Sequence, residues 1–289
     1  MKLGAAWGRT LCARLLTTVA VGLLVSGCAL TLGYRHADRI IEWQADHYFD
    51  LTSGQRRDLL ARTQRLLVRH RREMLPDYAE FLDQLKARVQ AGLRPDDLDW
   101  AYAAYDRFRG DLVERVLPDG SALLTTMSES QVRHVEQVLI REEQKTRESW
   151  AGPSDARAEL RADKALALAR KWIGSLQAGQ VAQLRASVRA LPDAEPIWWE
   201  SRRQRRKAFI ASLRTRATEE HLADELRGIV NPTVEQSEAA RAQLDREWRA
   251  GLTAVILQLD HMLTPVQRGR AVSSIQDLID DLRTMTRAR

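Results

Sequence analysis

The feature that most constrains this chain is the spacing of its apolar residues, which recur three and four positions apart from about Asp38 onward. In segments 59–67 and 81–89 this spacing places the leucines, Phe81 and Val89 on one stripe of a helix. Strong helix formers dominate, and the sequence has no alternating run of β-branched residues bounded by turn signals. The sequence therefore predicts an all-α fold, an elongated antiparallel helical bundle.

Prolines and glycines divide this helical pattern into segments. A proline inside a helix removes a backbone donor and clashes with the preceding turn, so we expect a break at Pro118 and another at Asn231-Pro232. The stretch 151–154, Ala-Gly-Pro-Ser, is the best candidate for a hinge. We therefore expect two related helical halves, at 28–150 and 151–289, after a signal segment at 1–27.

One short polar word recurs along the chain. Its copies read Leu-Thr-Ser-Gly-Gln, Met-Ser-Glu-Ser-Gln, Leu-Gln-Ala-Gly-Gln and Leu-Thr-Pro-Val-Gln, at 51–55, 127–131, 176–180 and 263–267. The first two copies are 76 positions apart and the last two are 87 positions apart, and a Leu-Pro-Asp triplet follows the first member of each pair. This arrangement indicates an internal duplication.

Each copy of the word is typical of a helix N-terminus. In a capping box, the Thr264 hydroxyl accepts the backbone amide of Gln267, and the Gln267 side chain accepts the Thr264 amide. We interpret the remaining copies in the same way, with a weaker N-cap in the third. The residues that this interpretation assigns to structural helix capping are Thr52, Gln55, Ser128, Gln131, Gln180, Thr264 and Gln267.

The N-terminus has the pattern of a secretory signal. Three basic residues precede an apolar run at 15–25 that is too short for a comfortable membrane span, and Val25-Ser26-Gly27-Cys28 follows. This order resembles the lipobox of bacterial lipoproteins, which implies cleavage before Cys28 and a diacylglycerol on its sulfur; an ordinary signal peptide is the alternative. In that resemblance Ala29, rather than an aspartate, implies the outer membrane, with the body in the periplasm.

Composition narrows the functional classes. The two cysteines are Cys12, which lies in the signal segment, and Cys28, so we expect neither a disulfide nor thiolate chemistry in the mature chain. The net charge is +6, and removing the three basic residues before Cys28 leaves +3. Because positive and negative residues alternate along the helices, nucleic-acid binding is not expected.

Two resemblances involve longer patterns. The word Leu-Thr-x-x-Gln resembles the signature of the periplasmic Spy/CpxP proteins, which implies a chaperone-like role in envelope stress. The lipobox, the segments that begin at Gly33 and His70, and the segment 170–180 together resemble an uncharacterised family of proteobacterial helical lipoproteins. The second resemblance covers most of the mature chain and implies an architecture but no activity.

The densest basic segment, 198–207, is a candidate docking surface for an anionic partner. On a helix, Arg202, Arg205 and Arg206 share a face near Trp198 and Trp199. Lipid head groups or an acidic client segment would suit this surface. A solvated arginine face with the tryptophans in the core is the alternative.

No catalytic, metal or cofactor motif is present in the sequence. The histidines have no metal-binding spacing, and neither a nucleophile elbow nor a phosphate-binding glycine loop occurs. We therefore expect a lipid-anchored binding protein without catalytic chemistry, which holds unfolded or outer-membrane proteins. A structural or adaptor lipoprotein is the alternative, and an envelope hydrolase is a remote one.

Overall fold

The computed structural model describes residues 27–215, 217–230 and 239–287. These residues form twelve α-helices and no strand, so the all-α class and the helical bundle that the apolar spacing predicts are confirmed. None of the described helices combines the length and the hydropathy that crossing a bilayer requires. Most of the expected signal segment, the side chain of Cys28 and the expected break at Asn231-Pro232 lie outside the described residues.

The chain divides into two compact units. Unit 1 contains the described residues up to Met74, Arg107–Trp150 and the described residues of 198–236; unit 2 contains Leu75–Asp106, Ala151–Ile197 and the described residues from 237 on. Both units therefore combine segments from before and after residue 150. This division differs from the halves at 28–150 and 151–289 that the hinge signal and the repeat spacing predict.

Seven helices contribute to unit 1. They are α1 (Gly27–Arg35), α2 (Ala37–Phe49), α3 (Ser53–Glu73), the later part of α5 (Pro95–Leu124), α6 (Glu129–Ser149), most of α9 (Glu195–Arg214) and α10 (Glu219–Val230). Helix α2 packs against both α3 and α6. The core of unit 1 has Phe49, Leu51, Val135 and Ile210 among its buried residues. Each such side chain removed from water contributes roughly 1.5–3 kcal/mol.

Unit 2 is built mainly from five helices. They are α4 (Leu75–Ala91), α7 (Ser154–Ile173), α8 (Ala178–Arg189), α11 (Ala239–His261) and α12 (Pro265–Arg287), together with the beginning of α5. Helix α12 lies along α4 and also contacts α7, while α8 packs against α7 and α11. Ala162, Leu166, Leu184 and Ile279 lie in the centre of this core.

The expected break at Pro118 is wrong. Helix α5 continues from Pro95 to Leu124, with Pro118 exposed on its outer side. Proline removes one backbone donor, but Leu117, Ala122 and Leu123 around it are buried. Tertiary packing on the inner face therefore outweighs the local cost of the proline.

Two glycines allow helices to end. Gly92 follows α4 with a φ of 93°, and Gly174 follows α7 with a φ of 80°. Residues with a side chain rarely adopt these angles. Both glycines stop their helices shortly before the next element begins, as helix C-terminal glycines commonly do.

Candidate functional site

The repeated words begin helices α3, α6, α8 and α12. At α3, the Thr52 hydroxyl accepts the Gln55 amide at 3.3 Å, and the Gln55 side chain accepts the Thr52 amide at 3.0 Å. Ser128 and Gln131 make the same two hydrogen bonds at α6. Each box satisfies backbone amides that the first helical turn leaves without an internal partner.

The last two copies lie in unit 2. Thr264 and Gln267 form the two bonds of the box at α12, at 3.0 and 3.2 Å. At α8, the Gln177 amide donates to Oε1 of Gln180 at 2.9 Å. Pro265 occupies the first position of its helix, where the missing N–H has no intrahelical partner to lose.

Gln55 and Gln131 contact each other directly in unit 1. Nε2 of Gln131 donates to Oε1 of Gln55 at 2.8 Å, and Nε2 of Gln55 donates to Oε1 of Gln131 at 3.3 Å. Each side-chain amide also donates to the backbone just before its partner's copy of the word. Gln55 donates to the Thr126 carbonyl, before the second word, while Gln131 donates to the Phe49 and Asp50 carbonyls, before the first word.

Gln180 and Gln267 repeat this arrangement in unit 2. Each Nε2 donates to the other Oε1, at 2.8 and 2.9 Å, and both side chains are buried. Gln180 also donates to the Met262 carbonyl, and Gln267 donates to the Ser175 carbonyl. In each unit, therefore, two helical turns are joined by a reciprocal pair of amides.

These contacts fill the hydrogen-bonding capacity of all four amide groups. Each Oε1 accepts one backbone N–H and one partner N–H, and each Nε2 donates to the partner and to at least one backbone carbonyl, with Gln131 donating to two. An amide with full capacity has no donor or acceptor left for a ligand. The repeated word is therefore a structural device, and the meeting of its copies is a feature that our sequence analysis missed.

The residue after the glutamine has a second structural role in the first and fourth copies. Arg268 donates to both carboxylate oxygens of buried Asp260, at 2.8 and 3.2 Å, and Asp260 also accepts the Leu93 amide. Arg56 pairs with one carboxylate oxygen of Asp46 at 3.0 Å, and both of these side chains are more exposed than Arg268 and Asp260. An arginine thus ties its helix to the preceding one where the other copies have valine.

The expected docking residues on α9 are mostly engaged within unit 1. The guanidinium of Arg206 donates to Glu143 on α6 at 2.9 Å, and its side chain is 15% exposed. The guanidinium carbon of Arg202 lies 4.9 Å from the centre of the Trp199 ring. Arg205 is also half-buried. The structure thus places Arg206 in an interhelical ion pair and Arg202 on an aromatic face.

A buried histidine occupies the end of α3. His70 is 4% exposed, and its Nδ1 lies 3.1 Å from the Tyr34 hydroxyl of α1. Burial, and to a smaller extent the positive charge of Arg115, lower the pKa of His70 to about 4. The imidazole is therefore neutral at physiological pH.

A charged cluster lies where α7 approaches the beginning of α9. Arg157 forms an ion pair with Asp193, while buried Arg161 lies 3.7 Å from Asp193 and donates to the Leu191 carbonyl. A hydrogen bond from Arg157 lowers the pKa of Asp193, and burial raises the pKa of Glu195. The cluster anchors the Leu-Pro-Asp triplet that the sequence marks as part of a repeat.

The described residues hold no group of three metal-binding side chains of the His, Cys, Asp or Glu type.

One open cavity of about 340 Å³ lies between α4 and α12 of unit 2, with Ala79, Asp83 and Arg283 in its lining. Asp83 is bound by Lys86 and Arg283, which lower the pKa of its carboxyl. This carboxylate therefore stabilises the α4–α12 contact.

The tryptophans divide between core and surface. Trp172 and Trp248 pack against the core of unit 2, and the indole of Trp248 donates to the Pro192 carbonyl at 3.1 Å. Trp43 on α2 is 68% exposed and stacks on His47. Trp172 and Trp248 therefore belong to the core of unit 2, whereas Trp43 presents its ring to solvent.

Comparison with known proteins gives one relationship. A model described as a family of unknown function, DUF6279, matches residues 47–232, which is more than half of the chain. The match includes the first three copies of the repeated word and begins after Cys28. No curated protein and no solved structure matches the chain. The chain therefore belongs to the family of unknown function DUF6279.

Proposed function

We propose that this protein is a lipid-anchored, chaperone-like binding protein of the bacterial envelope, without catalytic chemistry. In this proposal the diacylglycerol on Cys28 holds it at the outer membrane, and the helical body extends into the periplasm. There it makes weak, reversible contacts with unfolded or outer-membrane proteins.

The observation that carries the proposal is the distribution of exposed apolar side chains. Seven large ones are exposed among the described residues, and each lies on a different helix: Leu32, Trp43, Val68, Tyr105, Ile140, Leu168 and Val266. A stable interface with one partner usually buries roughly 1,200–2,000 Å² around a contiguous apolar centre. In the proposal, these separate side chains make the weak, reversible apolar contacts with extended, unfolded chains.

The lipobox supports the location. Membrane binding by acyl chains gains about 0.8 kcal/mol for each buried methylene, so a diacylglycerol anchors a protein durably. The expected charge of the mature chain, +3, and its reliance on core packing in place of disulfides are compatible with a periplasmic body. The mass of the N-terminal peptide from cells tests this part alone, since a lipidated Cys28 carries the added acyl mass.

Aggregation assays test the binding activity. The mature chain with Cys28→Ser should suppress light scattering by several unrelated denatured proteins. A triple variant, Trp43→Gln, Ile140→Gln and Leu168→Gln, should lose most of this suppression and keep its helical content. The matched control places glutamine at three exposed alanines, Ala61, Ala103 and Ala182, and should behave like the parent chain.

Two results would overturn the chaperone-like role. One is a parent chain that suppresses no aggregation. The other is a triple variant that suppresses as well as the alanine control. A single envelope protein recovered at fixed stoichiometry with the parent chain would replace the proposal with the adaptor role.

A further inference from the structure

Helix α3 is the most basic helix of unit 1. Between Ser53 and Glu73 it contains seven arginines and two carboxylates. Four arginines on its inner and lateral sides contact carboxylates or the Tyr34 ring: Arg56 with Asp46, Arg62 and Arg69 with Asp119, and Arg71 with Tyr34. The other three arginines of α3, Arg57, Arg65 and Arg72, are exposed to solvent.

Those arginines form one continuous exposed face. Positions 57, 61, 65, 68 and 72 are spaced by four, four, three and four residues, so they lie on one side of the helix, and all five are exposed. We call Arg57, Arg65, Val68 and Arg72 the basic face of α3. Arg65 is 61% exposed and lies 4.0 Å from the Asp119 carboxylate, whereas Arg57 and Arg72 have no ion-pair partner among the described residues.

The acidic groups around this face are already engaged. Asp119 on α5 has three arginines within 4.0 Å, so it cannot neutralise all of them. Asp38 on α2 accepts hydrogen bonds from Gln64 and from the Arg39 amide, and Glu73 is paired with Arg115. The basic face therefore keeps a net positive charge.

The position of α1 relates this face to Cys28. The α1–α2 segment runs antiparallel to α3, since Gln64 contacts Asp38 and the Tyr34 hydroxyl donates to the Leu67 carbonyl. The backbone amide of His36 donates to the Leu32 carbonyl, and the amide of Ile40 donates to the His36 carbonyl. These hydrogen bonds continue the helix from α1 into α2 without a sharp turn. Cys28 precedes Tyr34 by six residues, or about 9 Å of helix. Its backbone is thus level with the C-terminal end of α3, where Arg72 lies.

We propose that the basic face of α3 binds the anionic phospholipid head groups of the membrane that holds the lipid on Cys28. This inference rests on the lipid anchor of the proposed function and adds an oriented, second attachment. Val68 and Leu32, which are 45% and 57% exposed, supply apolar contacts at the boundary between the head groups and the acyl chains. An acyl anchor together with a polybasic surface holds a protein more durably than either signal alone.

Vesicle co-sedimentation tests the proposal directly. The probe is the mature chain with Cys28→Ser, mixed with vesicles of phosphatidylcholine alone or with 30% phosphatidylglycerol, about one anionic lipid in three. The parent chain should bind the anionic vesicles and release them as salt rises, because surface charges are screened within about 8 Å at physiological ionic strength. Arg57→Gln, Arg65→Gln and Arg72→Gln together should lower the affinity about a hundredfold, at about fivefold for each arginine.

A matched control separates the basic face from total charge. Arg94→Gln, Arg170→Gln and Arg189→Gln remove the same charge from exposed positions of unit 2 and should leave vesicle binding within about twofold of the parent. Equal binding by the two triple variants would overturn the proposal. So would equal binding of the parent to neutral and anionic vesicles. The mass of the Cys28 peptide tests the anchor alone, so its failure is distinguishable from failure of the basic face.

Discussion

Gln180 and Gln267 lie 87 positions apart in the chain, and each donates its Nε2 to the Oε1 of the other, at 2.8 and 2.9 Å. Gln55 and Gln131, which are 76 positions apart, form the same reciprocal pair in unit 1. Each glutamine also caps its own helix and bonds the chain just before the partner's helix. A local capping motif is thereby converted into a long-range link between two turns.

Replacing Gln267 with glutamate tests this link. The carboxylate cannot donate to the Ser175 carbonyl or to Oε1 of Gln180, and its charge would be buried beside both oxygens. We expect the free energy of unfolding to fall by about 2–4 kcal/mol at pH 7. Protonation of the new side chain restores a donor, so part of the loss should be recovered at acidic pH. Urea unfolding of both proteins at pH 7 and pH 5 measures the effect.

Gln183→Glu on the same helix as Gln180 is the control. Gln183 is exposed and lies in the second turn of α8, so a carboxylate there stays in solvent and leaves the amide pair intact. The free energy of unfolding of Gln183→Glu should stay within about 0.5 kcal/mol of the parent value. Equal losses in Gln183→Glu and Gln267→Glu would show that the amide pair is not the cause.

The two arginine–aspartate pairs should differ in energy because they differ in burial. Asp260→Asn leaves Arg268 without its ionised partner where the aspartate side chain is 4% exposed, and we expect a loss of about 3 kcal/mol. Asp46→Asn affects a pair whose side chains are 31% and 44% exposed, so the loss should be below about 1 kcal/mol. Thermal and urea unfolding of the two variants give the comparison. A larger loss in Asp46→Asn would contradict this ranking.

His70 should make stability fall as the solution becomes acidic. Its pKa is about 4 in the folded protein, against 6.5 for an unperturbed histidine, so below pH 6.5 the unfolded chain binds a proton that the folded chain does not. Stability is therefore lost as pH falls from about 6.5 to about 4, by roughly 3 kcal/mol in total. His70→Gln should remove this part of the pH dependence. Parallel unfolding profiles for parent and variant between pH 7 and pH 4 would contradict the assignment.

The sequence predicts the helices and their caps because the signals for both are local. A capping box involves residues three positions apart, and apolar spacing shows which side of a helix is buried. The pairing of Gln55 with Gln131 depends on which turns meet in the fold, and no local pattern specifies that. The signal in the sequence that points to such a pairing is the repetition of the same word, with Ser or Thr followed three positions later by Gln, at distant places in the chain.

The arginine surfaces show the same limit. Segment 198–207 is the densest basic segment of the sequence, yet the Arg206 side chain is only 15% exposed and is paired with Glu143, which lies 63 positions earlier. Helix α3 has an exposed basic face because Asp119 and Asp46 engage the arginines on its other sides. Exposure of a charge thus depends on the carboxylates that packing brings near, which composition does not reveal.

Pro118 gives a last prediction, since α5 continues through it. Pro118→Ala restores a backbone donor for the Glu114 carbonyl and removes the clash of the ring with the preceding turn. A proline inside a helix costs about 3 kcal/mol, while the more flexible unfolded alanine chain offsets about 0.4–1 kcal/mol, so a gain of about 2 kcal/mol is expected. Pro265→Ala is the matched control, because Pro265 stands at the first position of α12 and no intrahelical bond is regained there. Urea unfolding should show a more stable Pro118→Ala protein and a Pro265→Ala protein that is unchanged or slightly less stable; the reverse order would mean that the backbone around Pro118 is not an ordinary helix.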